Sequence, residues 1–495
     1  MLWALAFFSS FVSLWLSWQF GMWYLAWIAW VPLFYLCEEK SLRHVVLNFF
    51  SLGFLSYLLL MSWLIPTTVV GWILISVYIS LYFACFGVAF FYGKDRPLGL
   101  SIIWVILEII REYAFTGLPW LPLGLTQSSN IMMRQSAVIL GVYGLSFLVI
   151  FVNITLWNYL KPIKDNGIQK IFFYLALTLL MFNLFYGYQH QSDQDTGSMG
   201  SGLDVVAIHS KIPLDMKWDK NRLNEVVSIY EEETRKSFKG SVKTDLILWP
   251  ETAIPEYVRR RPPLFRRIAQ IAKDSGAYLM LGCLDVDMDE GRGKDYYNTS
   301  LLVSPEKTIV QKYDKIRVLP FGEYTPFKGI FPWLSYLVKS EAEFTPGQYN
   351  TVFKTEKAAW ASLICYEDSF TAFPRQFVLQ GLDFVVVSSN DAWFWPHQVL
   401  QRLLQAQMRA VEYGCPVIRV SNFGTTCWID AKGNLRDVRT TTGALRFELP
   451  VKDHQKTLYA HFGLLWFWVL TGGYFLFIVS SSIFWYLKKH YCEAE

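Results

Sequence analysis

The sequence predicts an α/β domain of about 255 residues inserted between seven N-terminal membrane-spanning helices and one C-terminal one. Three observations carry that expectation. Hydrophobic residues make up 53% of the 495-residue chain and charged residues only 17%, too apolar a mixture for a wholly soluble protein. Apolar stretches near the roughly 20 residues needed to cross a bilayer recur through residues 1–190 and return at 462–487. Between them, short β-branched runs alternate with amphipathic helical stretches.

The apolar stretches lie near 2–18, 22–37, 45–65, 68–92, 98–111, 136–160 and 170–188, with the last at 462–487. The N-terminus, Met1-Leu-Trp-Ala-Leu, lacks a basic segment and a small-residue cleavage site, so it reads as a retained span. If the spans alternate, Lys40, Arg43, Lys94, Arg96, Lys161, Lys164, Lys170, Lys488 and Lys489 share one side. Only Arg111 and Arg134 lie in the opposite connections, so the positive-inside rule puts the larger set in the cytoplasm and the inserted domain outside. Within the fifth span Glu108, Arg111 and Glu112 are costly in hydrocarbon, and pairing of Glu108 with Arg111 along the helix is expected.

The expected organisation is a membrane bundle (1–190), a Gly/Ser-rich linker (191–202), a catalytic domain (203–458), a C-terminal span (459–487) and a cytoplasmic tail (488–495). In the domain, strands are expected at Leu203–His209, Asp245–Trp249, Tyr278–Cys283, Asn298–Val303, Ala359–Tyr366, Asp383–Ser388 and Pro416–Ser421. Helices are expected at Asp219–Phe238, Pro263–Asp274, Phe370–Gln380 and Gln398–Tyr413. The net charge of +4 is too small for this length to suggest a nucleic-acid partner. Seven cysteines, odd in number and without CxxC or CxxH spacing, indicate neither a disulfide framework nor a metal site.

Three strand ends offer chemistry. Ala361-Ser-Leu-Ile-Cys-Tyr-Glu-Asp368 delivers the thiol of Cys365. A strand cysteine usually only fills space, but an internal strand would not turn acidic directly after it. Asp245-Leu-Ile-Leu-Trp-Pro-Glu251 delivers a carboxylate beside an aromatic run, where lost hydration suits a general base. Tyr313-Asp-Lys315 delivers an ammonium ahead of the apolar Val318-Leu-Pro-Phe-Gly322, where it can stabilise an oxyanion. Thiol, carboxylate and ammonium are the parts of a nucleophilic acyl-transfer site.

Together Trp-Pro-Glu251, the Lys315 segment running to Glu323 and Cys365-Tyr-Glu367 resemble the Glu-Lys-Cys signature of the nitrilase/amidase superfamily. With membrane spans on both sides, the whole chain resembles the bacterial apolipoprotein N-acyltransferase family. Further matching stretches are Lys217-Trp218, Glu323-Tyr-Thr-Pro326, Ser388-Ser-Asn-Asp-Ala-Trp-Phe394, Met408-Arg-Ala410 and Arg419-Val-Ser-Asn-Phe-Gly424. The resemblance implies a nitrilase-like αββα sandwich with Glu251 as base, Lys315 as oxyanion stabiliser and Cys365 as nucleophile. It implies supporting roles for Trp218, Glu323, Tyr366 and Glu367, and no cofactor or metal. It also implies a phospholipid acyl donor such as phosphatidylethanolamine, a diacylglyceryl-apolipoprotein acceptor, and a bacterial inner-membrane location with the catalytic domain in the periplasm. The rival readings are a membrane-tethered amidase or nitrilase acting on small amides, and a non-catalytic lipoprotein receptor on the same scaffold. One departure stands out: after Phe394 the family usually has a Gly/Ser-bearing stretch and then Gln-His, whereas this chain has Trp395-Pro-His397 and then Gln401-Arg402.

Two aromatic loops are expected to meet the membrane. Phe327-Lys-Gly-Ile-Phe-Pro-Trp-Leu-Ser-Tyr-Leu-Val338 offers Phe331, Trp333 and Leu334, and a second loop offers Trp393, Phe394 and Trp395.

Overall fold

The computed structural model describes residues 2–161, 167–192, 202–238, 243–289, 293–330, 332, 343–394, 396, 398–451 and 456–492. Its helical N-terminal region contains α1 (Leu2–Gln19), α2 (Val31–Cys37), α3 (Leu42–Leu60), α4 (Val69–Gly93), α5 (Pro97–Tyr113), α6 (Ala137–Leu160) and α7 (Gly167–Ser192). Among the described residues, Leu42–Leu60, Val69–Gly93, Met133–Leu160, Gly167–Gln191 and Leu465–Ile483 are long and apolar enough to cross a bilayer. By helix length and composition this is a multi-pass membrane protein. The other three expected spans are helical but shorter. They are the 18-residue α1, a 3₁₀ turn at Trp23–Trp27 followed by the 7-residue α2, and the 17-residue α5.

Helix α6 is the centre of the bundle, because 78% of its apolar window is buried, against 6% for the C-terminal span. Lipid tails are as apolar as leucine, so packing rather than water exclusion holds such helices together. Trp30 shows how: its ring lies 4.9–6.2 Å from those of Phe34, Phe49, Phe83, Phe86 and Trp104. Near its start α6 is broken at Gly141, where φ is +66°, a conformation that favours glycine. The break frees the Val142 N–H, which donates to Glu412 of the α/β domain at 2.7 Å.

The domain's helices are α8 (Leu214–Lys217), α9 (Leu223–Lys236), α10 (Pro262–Ser275), α11 (Arg375–Val378) and α12 (Val399–Tyr413), followed by α13 (Leu458–Phe462) and the C-terminal α14 (Leu465–Cys492). Its strands are β1 (Leu203–His209), β2 (Leu246–Leu248), β3 (Ile254–Tyr257), β4 (Tyr278–Asp289), β5 (Gly293–Val303), β6 (Ile309–Asp314), β7 (Val352–Lys354), β8 (Ala359–Ile364), β9 (Phe384–Ser389), β10 (Val417–Ser421), β11 (Thr426–Ile429), β12 (Leu435–Arg439) and β13 (Gly443–Leu449). One sheet runs β13-β1-β2-β4-β5-β6, with β3 paired to β4, and the other runs β12-β11-β10-β9-β8-β7. In each sheet the three middle strands are parallel, β1-β2-β4 and β8-β9-β10. Parallel strands are covered on both faces, which is why they read as unbroken apolar runs. The sheets face each other, with Ser300 and Ser362 hydroxyls 2.9 Å apart and the Trp360 Nε1–H directed at Met280 Sδ at 3.4 Å. Helices α9 and α10 cover the first sheet, and α12 packs between β10 and α6 of the bundle. The four layers of the expected αββα sandwich are therefore present, with one outer layer seated on the membrane helices.

The seven expected strand segments are all occupied by strands, and β6 supplies the strand end expected at Tyr313-Asp-Lys315, whereas β3, β7, β11, β12 and β13 were not anticipated. The expected helix Phe370–Gln380 shrinks to α11. Its first residues instead form a turn whose amides reach the bundle: Thr371 N–H and Thr371 Oγ1–H donate to Glu112 at 2.8 and 2.5 Å, as does Tyr143 Oη–H at 2.5 Å. The expected Glu108–Arg111 pairing is likewise corrected. Glu108 accepts from Trp104 Nε1 (3.0 Å) and Leu123 N (2.6 Å), while Arg111 donates to Tyr57 Oη (3.2 Å). Each charge takes a partner from a different element, because sequence spacing fixes only neighbours on the helix itself.

Glu112 is buried and its donors come from both the bundle and the α/β domain. Replacing it by Leu leaves those donors unpaired, at a cost on the order of 2–3 kcal/mol. Glu112→Leu should lower the detergent melting midpoint clearly; an unchanged midpoint would contradict this account of the interface.

Candidate active site

Strand ends deliver the candidate groups to one place. Glu251 follows β2 through Trp249-Pro250, Lys315 follows β6 directly, and Cys365 follows β8 directly. The approach at Glu251 is close: a Cβ on Gly282 of β4 would lie 2.5 Å from Pro250 O and 2.7 Å from Glu251 Cα. Glycine at 282 is therefore what lets this turn lie against the sheet.

Glu251 is buried and held at both oxygens. Oε1 accepts from Asn298 Nδ2 and Oε2 from the Asn390 N–H, each at 2.8 Å. Lys217, also buried, donates to the Glu251 carbonyl at 3.0 Å, and burial pulls its ammonium down to about 7. Lys315 Nζ lies 2.9 and 2.8 Å from the two Glu323 oxygens and 3.7 Å from Glu251 Oε1. Burial disfavours its charge, but Glu323 and Glu251 more than offset that and hold it above the ordinary lysine range. Asn298 Nδ2 also donates to Glu323 Oε1 at 3.0 Å, so one amide spans both carboxylates.

Cys365 opens a 3₁₀ turn, Cys365–Ser369, with φ of +53°. A non-glycine residue there stores strain of about 1–2 kcal/mol, a cost met at sites where a nucleophile is presented on a sharp strand-to-helix turn. Burial, then the Glu251 charge, push the thiol up to about 12, while Arg402 and Lys315 pull the other way. The resting thiol is therefore protonated at neutral pH and needs a base, and Glu251 is within electrostatic reach.

The remaining expected site residues take distinct places. Glu367 Oε1 accepts from Tyr313 Oη (2.7 Å), Ile316 N (2.8 Å) and Arg317 N (3.0 Å), and Oε2 from Ile364 N (2.7 Å). It joins the lysine-bearing and cysteine-bearing segments, although burial raises it to about 7. Tyr366 points into the bundle, donating to Gly117 O at 2.8 Å and stacking near Trp120 at 6.5 Å. Trp218 is 41% exposed and sits 6.4 Å from Trp393, itself 44% exposed, so this pair forms an open rim. Phe394 differs from expectation: it is half-buried and meets Trp63 of the bundle edge-on at 4.8 Å. Phe331, Trp333, Leu334 and Trp395 lie outside the described residues. Phe327 and Ile330, earlier in the first loop, are 46% and 71% exposed, and Phe115, 77% exposed, has its ring 6.2 Å from that of Phe327.

Sequence reading did not single out Asn298, Asn390 or Arg402. Asn390 stands inside a quoted motif, Ser388-Ser-Asn-Asp, whose strand-end position was the available signal. Arg402 stood in the quoted Gln401-Arg402 departure, which did not reveal its place beside Cys365, and Asn298 carried no signal, as a strand amide usually faces solvent.

Comparison with known proteins extends the picture. The family description "Apolipoprotein N-acyltransferase N-terminal domain" matches residues 9–155, and "Carbon-nitrogen hydrolase" matches residues 209–458. A protein of Geobacter metallireducens called apolipoprotein N-acyltransferase is 31% identical over 472 residues, spanning 91% of this chain and 89% of its own. One of the same name from Haemophilus influenzae is 27% identical over 444 residues, spanning 84% and 82%.

A thiol raised to about 12 gives a direct expectation. Alkylation of Cys365 by iodoacetamide should be slow at neutral pH and climb about tenfold per pH unit into the alkaline range. Peptide mass spectrometry reads the rate; a plateau below pH 8 would mean a preformed thiolate and defeat the assignment of a separate base.

Proposed function

This chain belongs to the apolipoprotein N-acyltransferase family, and from that membership we propose that it moves an acyl chain in two half-reactions through Cys365. In the first, Glu251 takes the Cys365 proton and the thiolate attacks an ester carbonyl of a membrane phospholipid. Lys315, with the backbone N–H of Tyr366, stabilises the tetrahedral oxyanion. The lysophospholipid alkoxide leaves with the proton held by Glu251, and the acyl chain remains as a thioester. In the second, the α-amino group of a diacylglyceryl-cysteine attacks that thioester, giving its proton to Glu251. The amide forms, the thiolate departs and is reprotonated. Phosphatidylethanolamine is the donor and the domain faces the periplasm of the bacterial inner membrane; the charge asymmetry of the connections supports that side.

The observation that carries the reading is that buried Glu251 and Lys315, 3.7 Å apart, lie within electrostatic reach of the half-buried Cys365, whose neighbour Tyr366 bonds to the bundle. Burial matters because a thioester open to water would hydrolyse. Exposed Phe115, Phe327 and Ile330 supply an apolar approach for an acyl chain. The amidase alternative is not favoured: residues 9–155 match the N-terminal domain of the acyltransferases, a part that hydrolysis of small soluble amides does not require.

Intact mass spectrometry of protein purified from membranes should find a fatty-acyl adduct on wild type and none on Cys365→Ser or Glu251→Gln. An adduct that persists on Cys365→Ser would end the thioester mechanism. In steady-state assays with lipid vesicles, Phe327→Ser combined with Ile330→Ser should raise KM for the donor several-fold and leave kcat within about twofold, as loss of uniform binding does. Unchanged KM would remove these residues from the lipid approach.

A further inference from the structure

Behind Cys365 lies a buried ionic cluster that the two half-reactions leave unused. Arg402 of α12, Arg419 of β10, Asp368 of the cysteine turn and Asp391 after β9 are each at most 2% exposed. Arg402 lies 3.4 Å from Asp368 Oδ1 and 3.8 Å from Asp391 Oδ1. Arg419 reaches the opposite oxygens, Asp368 Oδ2 at 3.5 Å and Asp391 Oδ2 at 3.2 Å, and Ser421 Oγ–H donates to Asp391 Oδ2 at 3.0 Å. Two cations and two anions leave the cluster neutral.

The hydrogen bonds of Arg402 go elsewhere. Nη1 is directed at Cys365 Sγ at 3.6 Å, and Nη2 donates to Cys365 O at 2.7 Å. Meanwhile Arg402 Nε, Asp368 Oδ1 and Asp391 Oδ1 are buried without any hydrogen bond. A guanidinium placed only to satisfy two carboxylates would form close, forked bonds with them. This one gives up that geometry and turns its fork to the sulfur and carbonyl of a single cysteine.

We infer that Arg402 is a further catalytic residue of the proposed transfer, donating a charge-assisted hydrogen bond to the Cys365 thiolate as it forms and pinning the strained turn that presents it. Burial penalises the thiolate, and a buried cation 3.6 Å away offsets part of that penalty. Four charged groups bear on the sulfur: Glu251 and Asp391 oppose ionisation, while Arg402 and Lys315 favour it, Arg402 the more strongly. The division of labour follows. Lys315 is drawn toward Glu323 and Glu251, on the side where a substrate oxyanion develops, and Arg402 serves the nucleophile itself. Once the sulfur is acylated it is neutral, and Arg402 keeps its hydrogen bond to the Cys365 carbonyl and its ion pairs with Asp368 and Asp391. It is ready to receive the thiolate again as the leaving group of the second half-reaction.

The inference rests on Cys365 being the acylated residue, and its test is chosen so that the two can fail separately. Iodoacetamide alkylation of Cys365 needs no lipid and is followed on the Cys365 peptide across pH in detergent-solubilised R402K, R402Q and wild-type protein. R402Q should slow alkylation about tenfold at each pH below the inflection, equivalent to about one pH unit. R402K keeps the charge and should stay within about threefold of wild type. R402K also preserves compensation for Asp368 and Asp391, so it remains informative if R402Q folds poorly. In the lipid assay R402Q should lower kcat for acyl-enzyme formation with KM for donor unchanged. Wild-type alkylation by R402Q, or a loss in R402K as deep as in R402Q, overturns the assignment and leaves Arg402 a purely structural group. If alkylation behaves as expected but no acyl adduct ever forms on wild type, the transfer mechanism fails while the thiol–guanidinium contact stands.

Discussion

Glu367 accepts from Ile364 on one side and from Tyr313, Ile316 and Arg317 on the other, and through those four bonds it sets the spacing between the thiol and the ammonium. The two segments are some 50 residues apart in the chain and belong to different sheets. No apolar side chain could do this, because it would leave three backbone N–H groups and a phenol unpaired in a dry interior. A buried carboxylate is costly alone, and here the donors that meet it are the same atoms that fix the site. Specificity of position, more than stability, is what such a group contributes.

The same logic governs the seam between the α/β domain and the bundle. Glu112 receives Thr371, the Gly141 break offers Val142 to Glu412, and Arg134 donates to Lys432 O and Asn434 Oδ1 at 3.1 and 2.6 Å. Gln401 accepts from Trp63 and Trp120 and donates to Leu60 O at 3.0 Å. These are polar contacts made away from water, so each has sharp geometry and few alternatives. They seat Tyr366, the residue after Cys365, against Gly117 and Trp120, which sets the cysteine turn beside the helical bundle.

Much of this was legible beforehand where local pattern carries information. Parallel strands buried on both faces appear as continuous apolar runs, so β1, β2, β4, β8, β9 and β10 were expected, as was the apolar end of antiparallel β5, and the polar residues ending the runs marked Glu251 and Cys365. Edge strands such as β7 and β12 are short or exposed and leave only weak traces. Phe370–Phe373 kept helical periodicity yet became a turn, because Glu112 competes for the Thr371 amide from another part of the chain. Glu108 and Arg111 have the right spacing to pair and do not, since Leu123 and Tyr57 offer better-placed partners.

By itself, then, the chain determined where the core strands and the longest apolar helices lie and which side chains stand at strand ends, because periodicity records which face of an element avoids water. Tertiary structure alone decided what those faces meet. Arg402 is a cation on an amphipathic helix until α12 packs between the second sheet and α6, where it lies 3.6 Å from a sulfur 37 residues away. Asn298 is one strand amide among many until two carboxylates converge on its Nδ2. Polar contacts inside a protein depend on direction at the scale of an ångström, and that information exists only once distant segments are brought together.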